Sequence, residues 1–171
     1  MSSQKLTKYK NTNELINKMA NDKTIEILKQ AILLEKRGKA FYLNAMENSG
    51  DPDVKKIFKI MAEEEDEHVR FLATQFKKYQ AEGRFDPAVI AENEGVTVAD
   101  EVLSKNIKDK ISAASFEAAA IASAIDMENR AIAAYSERAE NAESEDERNF
   151  YEWLADWERG HHRILYQLDQ E

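Results

Sequence analysis

The chain contains one stretch twice. Sliding the sequence against itself by 93 residues aligns Asp22–Gln75 with Ser115–Leu168 without a gap, and 14 of the 54 aligned positions are identical. Roughly one in sixteen is expected for unrelated residues, so the match is an internal repeat, and each copy must be one supersecondary unit. The identities include Ala31/Ala124, Ile32/Ile125, Glu35/Glu128, Arg37/Arg130, Ala40/Ala133 and Tyr42/Tyr135 in the first part of each copy. Ala62/Ala155, Glu65/Glu158, His68/His161, Arg70/Arg163 and Leu72/Leu165 follow in the second.

Each copy reads as a helical hairpin. The first helix carries a stripe at helical spacing, Leu28, Ile32, Glu35, Lys39, Tyr42 and Met46, repeated as Ile121, Ile125, Glu128, Ile132, Tyr135 and Ala139. Asp22 and Ser115 stand where an N-cap oxygen would satisfy free backbone N–H groups. Asp51-Pro52 sets a cap before a proline at the first helical position, and Ser144-Glu145-Asp146-Glu147 has the form of a capping box. These signals predict helices near 23–48, 52–82, 116–141 and 145–169. Glycine (5) and proline (2) together make up only about 4% of the chain, too few to punctuate a many-stranded sheet.

Two hairpins, 22–82 and 115–169, make an all-α four-helix bundle. The long connection, residues 83–114, suits the crossover that an up-down-down-up arrangement requires, with a short helical piece expected around Val98–Lys105. Residues 1–21 are expected to be an N-terminal tail or a short helix (Asn13–Ala20), leaving 22–171 as the domain. No apolar run approaches the roughly 18–20 residues of a membrane span, and the basic start, Met1 to Lys10, has no apolar stretch behind it as a secretory signal would. The net charge of −9 argues against nucleic acid as a partner. With no cysteine, thiolate-held metal and disulfides are excluded, and a cytoplasmic protein is the simplest expectation.

The chemistry lies in where the repeated glutamates and histidines fall. Glu35 sits 15 residues before its hairpin turn near residue 50, and Glu65 15 residues after it. Glu128 and Glu158 flank the turn near residue 143 in the same way. At about 1.5 Å per residue all four lie about 22 Å from their turns, level across the bundle. His68 and His161 follow Glu65 and Glu158 at i, i+3, on the same helix face. Glutamate fills 22 of 171 positions, so this doubled pattern arises by chance roughly three times in ten thousand. The neighbours Ala31, Ile32, Phe58, Ala62 and Leu72, with Ala124, Ile125, Tyr151, Ala155 and Leu165, are apolar or small apart from one hydroxyl, which puts the carboxylates in the core. Four uncompensated buried charges would be very costly, whereas two divalent cations balance them. An oxygen-rich Glu/His set suits iron or manganese, with Glu65 and Glu158 as bridging candidates.

These motifs, in wording such as "LLEKRGKAFY" and "MAEEEDEHVRFL", resemble the ferritin-like di-iron carboxylate proteins, in particular the rubrerythrin family, over about 22–82 and 115–169. The resemblance implies a ferritin-like bundle binding two iron ions (manganese or a mixed pair being alternatives) through Glu35, Glu65, His68, Glu128, Glu158 and His161. It implies a non-haem di-iron oxidoreductase that reduces hydrogen peroxide or dioxygen with electrons from an external donor such as rubredoxin or a flavoprotein, in a homodimer or higher homo-oligomer. The alternatives are a ferroxidase and a non-enzymatic, metal-stabilised stress or interaction protein. Rubrerythrins proper add a rubredoxin domain, for which this chain has no cysteines, and a glutamate three residues after the third-helix ligand, where this chain has Ala131 and, in the other copy, Gly38.

Tyr42 and Tyr135, each seven residues after a glutamate of the set, are placed to hydrogen-bond a ligand carboxylate or to pass a proton or electron. Trp153 and Trp157 are read as packing, His162 as turned about 100° away from the site, Arg37 and Arg130 as surface charge, and the run Glu63–Glu67 as mainly a solvated face. Gly38 marks a close helix approach or space for a small ligand.

Overall fold

The computed structural model describes residues 3–91 and 115–169. Four long helices, α1 (Ser3–Asn48), α2 (Pro52–Glu82), α4 (Phe116–Glu140) and α5 (Glu145–Asp169), and one short one, α3 (Ala88–Ala91), make up the architecture, with no strand among the described residues. No described helix is long and apolar enough to cross a membrane.

Three helix starts follow their caps. The Asp51 carboxylate accepts the N–H groups of Asp53 (2.8 Å) and Val54 (3.2 Å), with Pro52 in the first turn. Ser115 Oγ accepts the N–H of Ala118 at 3.1 Å, and Ser144 Oγ that of Glu147 at 3.1 Å. The Glu147 carboxylate reaches back one residue further than a simple capping box, to the N–H of Glu143 (2.9 Å). Helix α2 ends at Gly83, whose φ of 68° lies in the left-handed region that a Cβ disfavours and whose N–H bonds the carbonyl of Tyr79.

The expected boundary at Asp22 does not exist: α1 runs unbroken from Ser3, so residues before 22 belong to the first helix and not to a separate tail. No glycine or proline occurs between Ser3 and Arg37, so nothing there forces the backbone out of the helix, and an aspartate caps only where the chain bends. Asn21, beside the presumed cap, accepts a hydrogen bond from the hydroxyl of Tyr79 on α2 (3.1 Å). The crossover is described only at its start. There Gln75 and the backbone of Asp86 exchange two hydrogen bonds (2.8 and 2.9 Å), and Phe85 and Val89 are buried. The helical piece expected around Val98–Lys105 lies outside the described residues.

Contacts fix the helix directions. Tyr42 bonds Glu128 and Tyr135 bonds Glu35, so α1 and α4 are antiparallel. Ring contacts of His68 with His161, Phe71 with Trp157 and Phe85 with Phe150 make α2 and α5 antiparallel as well. With two antiparallel hairpins this is the up-down-down-up bundle. Its core divides into two apolar clusters. One gathers Tyr42, Val54, Phe58, Met61, Ile121, Ile164 and Leu165, the other Leu28, Leu72, Phe85, Tyr135, Phe150, Tyr151 and Leu154. Each fully buried large side chain contributes roughly 1.5–3 kcal/mol. The polar layer lies between these clusters.

Replacing the α2 cap tests this local account. Asp51→Ala leaves two N–H groups without their acceptor and should cost about 1 kcal/mol, read as a fall of a few degrees in Tm with the helical content unchanged.

Candidate metal centre

All six residues singled out by the repeat are buried: Glu35, Glu65, His68, Glu128, Glu158 and His161. The structure brings them together as two overlapping groups, Glu35, Glu65, His68 and Glu158 in one and Glu65, Glu128, Glu158 and His161 in the other. Within each group, one ligating atom per residue lies within 4.8 Å of all the others. Glu65 and Glu158 are the shared members. The two imidazole rings stack at 5.5 Å between centroids, and both direct Nδ1 inward. His68 Nδ1 lies 3.0 Å from a Glu35 oxygen and 3.0 Å from Glu158 Oε1, and His161 Nδ1 lies 3.2 Å from Glu158 Oε2.

The polar atoms here are short of partners. Both oxygens of Glu158, Glu65 Oε2 and His161 Nδ1 are buried with no aligned hydrogen bond. Buried acceptors are ordinarily paired, so a cluster of orphans facing one point is a donor set suited to cations. The residues present therefore fit a pair of divalent metal ions.

Without metal, protons and imidazolium charge must hold the layer together. Burial, then the charges of Glu35 and Glu158, push the Glu65 carboxyl well above the usual range. Burial and the charge of Glu158 push Glu128 up to about 7. Burial alone would lower both histidines, but the surrounding carboxylates raise them well above their ordinary value. Glu158 is held well below the usual carboxylate range, because the charges on His68 and His161 overcome its burial.

Each tyrosine reaches across to the other hairpin. The Tyr42 hydroxyl donates to Glu128 Oε1, and the Tyr135 hydroxyl to Glu35 Oε1. Seven residues of spacing place a tyrosine two turns from its own glutamate, and the antiparallel pairing of α1 with α4 carries it to the partner's. Burial and the charges of Glu128 and Glu65 raise the Tyr42 hydroxyl well above 10, so it stays a donor.

Glu64 joins the site without having been read from the sequence. Its Oε2 lies 2.7 Å from His161 Nε2, and the side chain is buried. A proton on Nε2 shared with Glu64 leaves Nδ1 as a bare acceptor aimed at the cluster, the tautomer a metal needs. The available signal was the stripe Ile57, Met61, Glu64, His68 and Phe71, whose repeat counterpart is apolar apart from His161 and has Trp157 in the place of Glu64. Behind His68 stands that Trp157, edge-on at 4.8 Å, and His68 Nε2 has no hydrogen-bond partner. The two imidazoles are thus backed differently.

Other expectations resolve simply. Trp153 and Trp157 pack with Phe71 and Phe150. His162 stacks on Tyr166 away from the cluster, and Arg130 pairs with Asp126. Of the run Glu63–Glu67, Glu63 and Asp66 are exposed, and Glu67 pairs with Arg70. Gly38 is a close approach: a Cβ there would sit 2.9 Å from Glu65 Oε1.

Two outcomes follow. Gly38→Ala should leave the metal-free fold as stable as before, since alanine favours helix by about 1 kcal/mol. It should nevertheless displace the Glu65 carboxylate, and metal content per chain should drop while the thermal melt does not. Raising pH from 5 to 8 should lower the Tm of the metal-free protein. Glu128, Glu65 and both histidines bind protons more tightly folded than unfolded, so their stabilisation is lost as pH rises through their folded values. Saturating Mn(II) should remove that loss, and binding should release protons, read by calorimetry in buffers of different ionisation enthalpy.

No curated protein and no solved structure matches the chain. Residues 26–169 match the family model described as Rubrerythrin.

Proposed function

The chain belongs to the rubrerythrin family, and from that premise we propose that it is a non-haem di-iron oxidoreductase that reduces hydrogen peroxide to water with electrons from an external donor. The observation that carries this reading is the pair of four-residue groups sharing Glu65 and Glu158. Glu35 and His68 would hold one ion and Glu128 and His161 the other, with Glu65 and Glu158 common to both groups. Bound iron supplies Lewis acidity and two electrons for cleavage of the O–O bond, the balance being one peroxide, two electrons and two protons to two waters.

The chain's own residues have defined tasks. The Tyr42 and Tyr135 hydroxyls occupy one oxygen each of Glu128 and Glu35, which fixes both carboxylates and keeps a proton beside each. Glu64 holds a proton on His161 Nε2 and orients the ring. The apolar clusters above and below the layer exclude water from the carboxylates. Dioxygen is the other oxidant this chemistry accommodates, and a rubredoxin or flavoprotein suits the donor. We place the chain in a homodimer or larger homo-oligomer, as the family resemblance implies.

One observation favours a second reading, oxidation of Fe(II) as a ferroxidase. Ala131 and Gly38 stand where a rubrerythrin-type extra glutamate would sit on either side, which leaves the six-residue Glu/His set symmetric.

Metal analysis of purified variants tests the ligand set. Glu65→Ala and Glu158→Ala should each lose both ions, His68→Ala or His161→Ala mainly one, and Glu67→Ala neither. Two ions retained in Glu65→Ala, with metal lost in Glu67→Ala, would overturn the assignment. Turnover of peroxide with reduced rubredoxin separates the readings: absence of turnover, with oxidation of Fe(II) well beyond two per chain, selects the ferroxidase. A fold lost on metal removal would instead mark the ions as structural.

A further inference from the structure

The repeat supplies an internal comparison for each residue of the centre. Glu65 and Glu158 belong to both groups and serve them alike. The outer carboxylates are matched too, since Glu35 accepts the Tyr135 hydroxyl and Glu128 the Tyr42 hydroxyl. Both imidazoles are fully buried and direct Nδ1 at the carboxylates. Behind the rings the two halves part. Glu64 on α2 backs His161 of the other hairpin, and its counterpart on α5, Trp157, backs His68.

A neutral imidazole that offers Nδ1 to a cation carries its one ring proton on Nε2. The cation-binding form of each histidine therefore needs an acceptor at Nε2. His161 has one, Glu64 Oε2 at 2.7 Å. His68 has none: its Nε2 is buried without a hydrogen-bond partner among the described residues. The indole of Trp157, 4.8 Å away between ring centroids, offers an N–H and no lone pair. That indole Nε1 is itself buried and unpartnered among the described residues. A buried donor left without an acceptor is costly, and His68 meets that cost in the form that binds metal. His161 does not, and its ring is also held in place by a buried side chain.

We infer that Glu64 is a positioning residue that ranks the two halves of the centre. A divalent cation occupies the Glu128–His161 side first and firmly, and the Glu35–His68 side takes the second ion and exchanges it with solution. This order presupposes the two-metal centre proposed above and holds whichever reaction the centre supports. Loss of the partner behind a ligating histidine typically weakens metal binding about 10–100-fold, which sets the expected gap. Two binding steps do not by themselves reveal it, because two equal positions also fill in turn once the first cation repels the second. The asymmetry decides which position fills first.

The probe is Co(II), titrated into the metal-free full-length protein and followed by its visible absorption and by proton NMR. His68→Ala should leave the first Kd within about threefold of the unsubstituted chain, whereas His161→Ala should weaken it about 10–100-fold. At one equivalent, one exchangeable imidazole N–H resonance should be shifted by the cobalt far outside the ordinary range. That resonance should persist in His68→Ala and be lost in His161→Ala. Glu64→Leu should erase the difference between the two histidine variants. Glu64→Gln, which keeps an acceptor oxygen and the side-chain volume, should restore it. Equal weakening of the first step by His68→Ala and His161→Ala would overturn the proposal and leave the two-metal centre standing. So would an order of filling untouched by Glu64→Leu with circular dichroism unchanged. No binding of Co(II) at all would overturn both.

Discussion

Four carboxylates at one level of a helical bundle cannot all be bare. Every other feature of this molecule is arranged around that constraint. Glu35, Glu65, Glu128 and Glu158 are each almost wholly removed from solvent, and apolar layers on either side deny them water. An isolated buried carboxylate costs several kcal/mol, and breaking one partner from a paired set commonly costs 3–5 kcal/mol. The chain therefore brings two imidazoles and two phenols to the same layer, and protons fill the remaining need at neutral pH. Cations do the same work with higher charge density, and the orphaned oxygens of Glu158 are donors suited to them.

The tyrosines show how the fold and the centre support each other. Each hydroxyl bonds the glutamate of the opposite hairpin, so the polar layer also ties α1 to α4. Within a hairpin the helices are joined by a short turn and a shared apolar face, but the two hairpins are covalently linked only through the long crossover. The crossed Tyr–Glu bonds, the contact of His68 with His161 and the bond between His161 and Glu64 are inter-hairpin interactions within the core. A centre built at a pseudo-two-fold interface thus fixes the register of the two halves, because sliding one hairpin by a single turn would break all of these contacts together.

What the sequence makes legible is what it says twice or punctuates. The six Glu and His residues stand out because chance does not double such spacing, and the starts of α2, α4 and α5 because Asp51, Ser115 and Ser144 have the right chemistry where the chain does bend. Asp22 has the same chemistry without the bend, so it misleads: capping is a property of backbone direction, and nothing before residue 38 interrupts α1. Glu64 stayed hidden because its counterpart is a tryptophan, so repetition gave no signal, and because Glu63 and Asp66 in the same acidic run are solvated. The crossing of the tyrosines depends on helix pairing, which spacing along one helix does not encode.

Duplication also makes the differences between halves informative. A repeated unit begins with identical environments, and symmetric packing needs no further change. Where one half keeps Phe41 and Phe58 and the other has Ala134 and Tyr151, the second half has given up apolar contact for an open recess and an unpaired hydroxyl. Where one half keeps Trp157 and the other Glu64, the second imidazole gains a carboxyl hydrogen-bond partner that the first lacks. Each exchange works against simple core stability, by lost packing in one case and by a buried polar group in the other. Such exchanges persist only if something else compensates them. The two halves of this bundle therefore share a ligand framework and differ in the groups placed behind it, so the two positions in the centre are chemically distinct even though their six proposed ligands are a symmetric set.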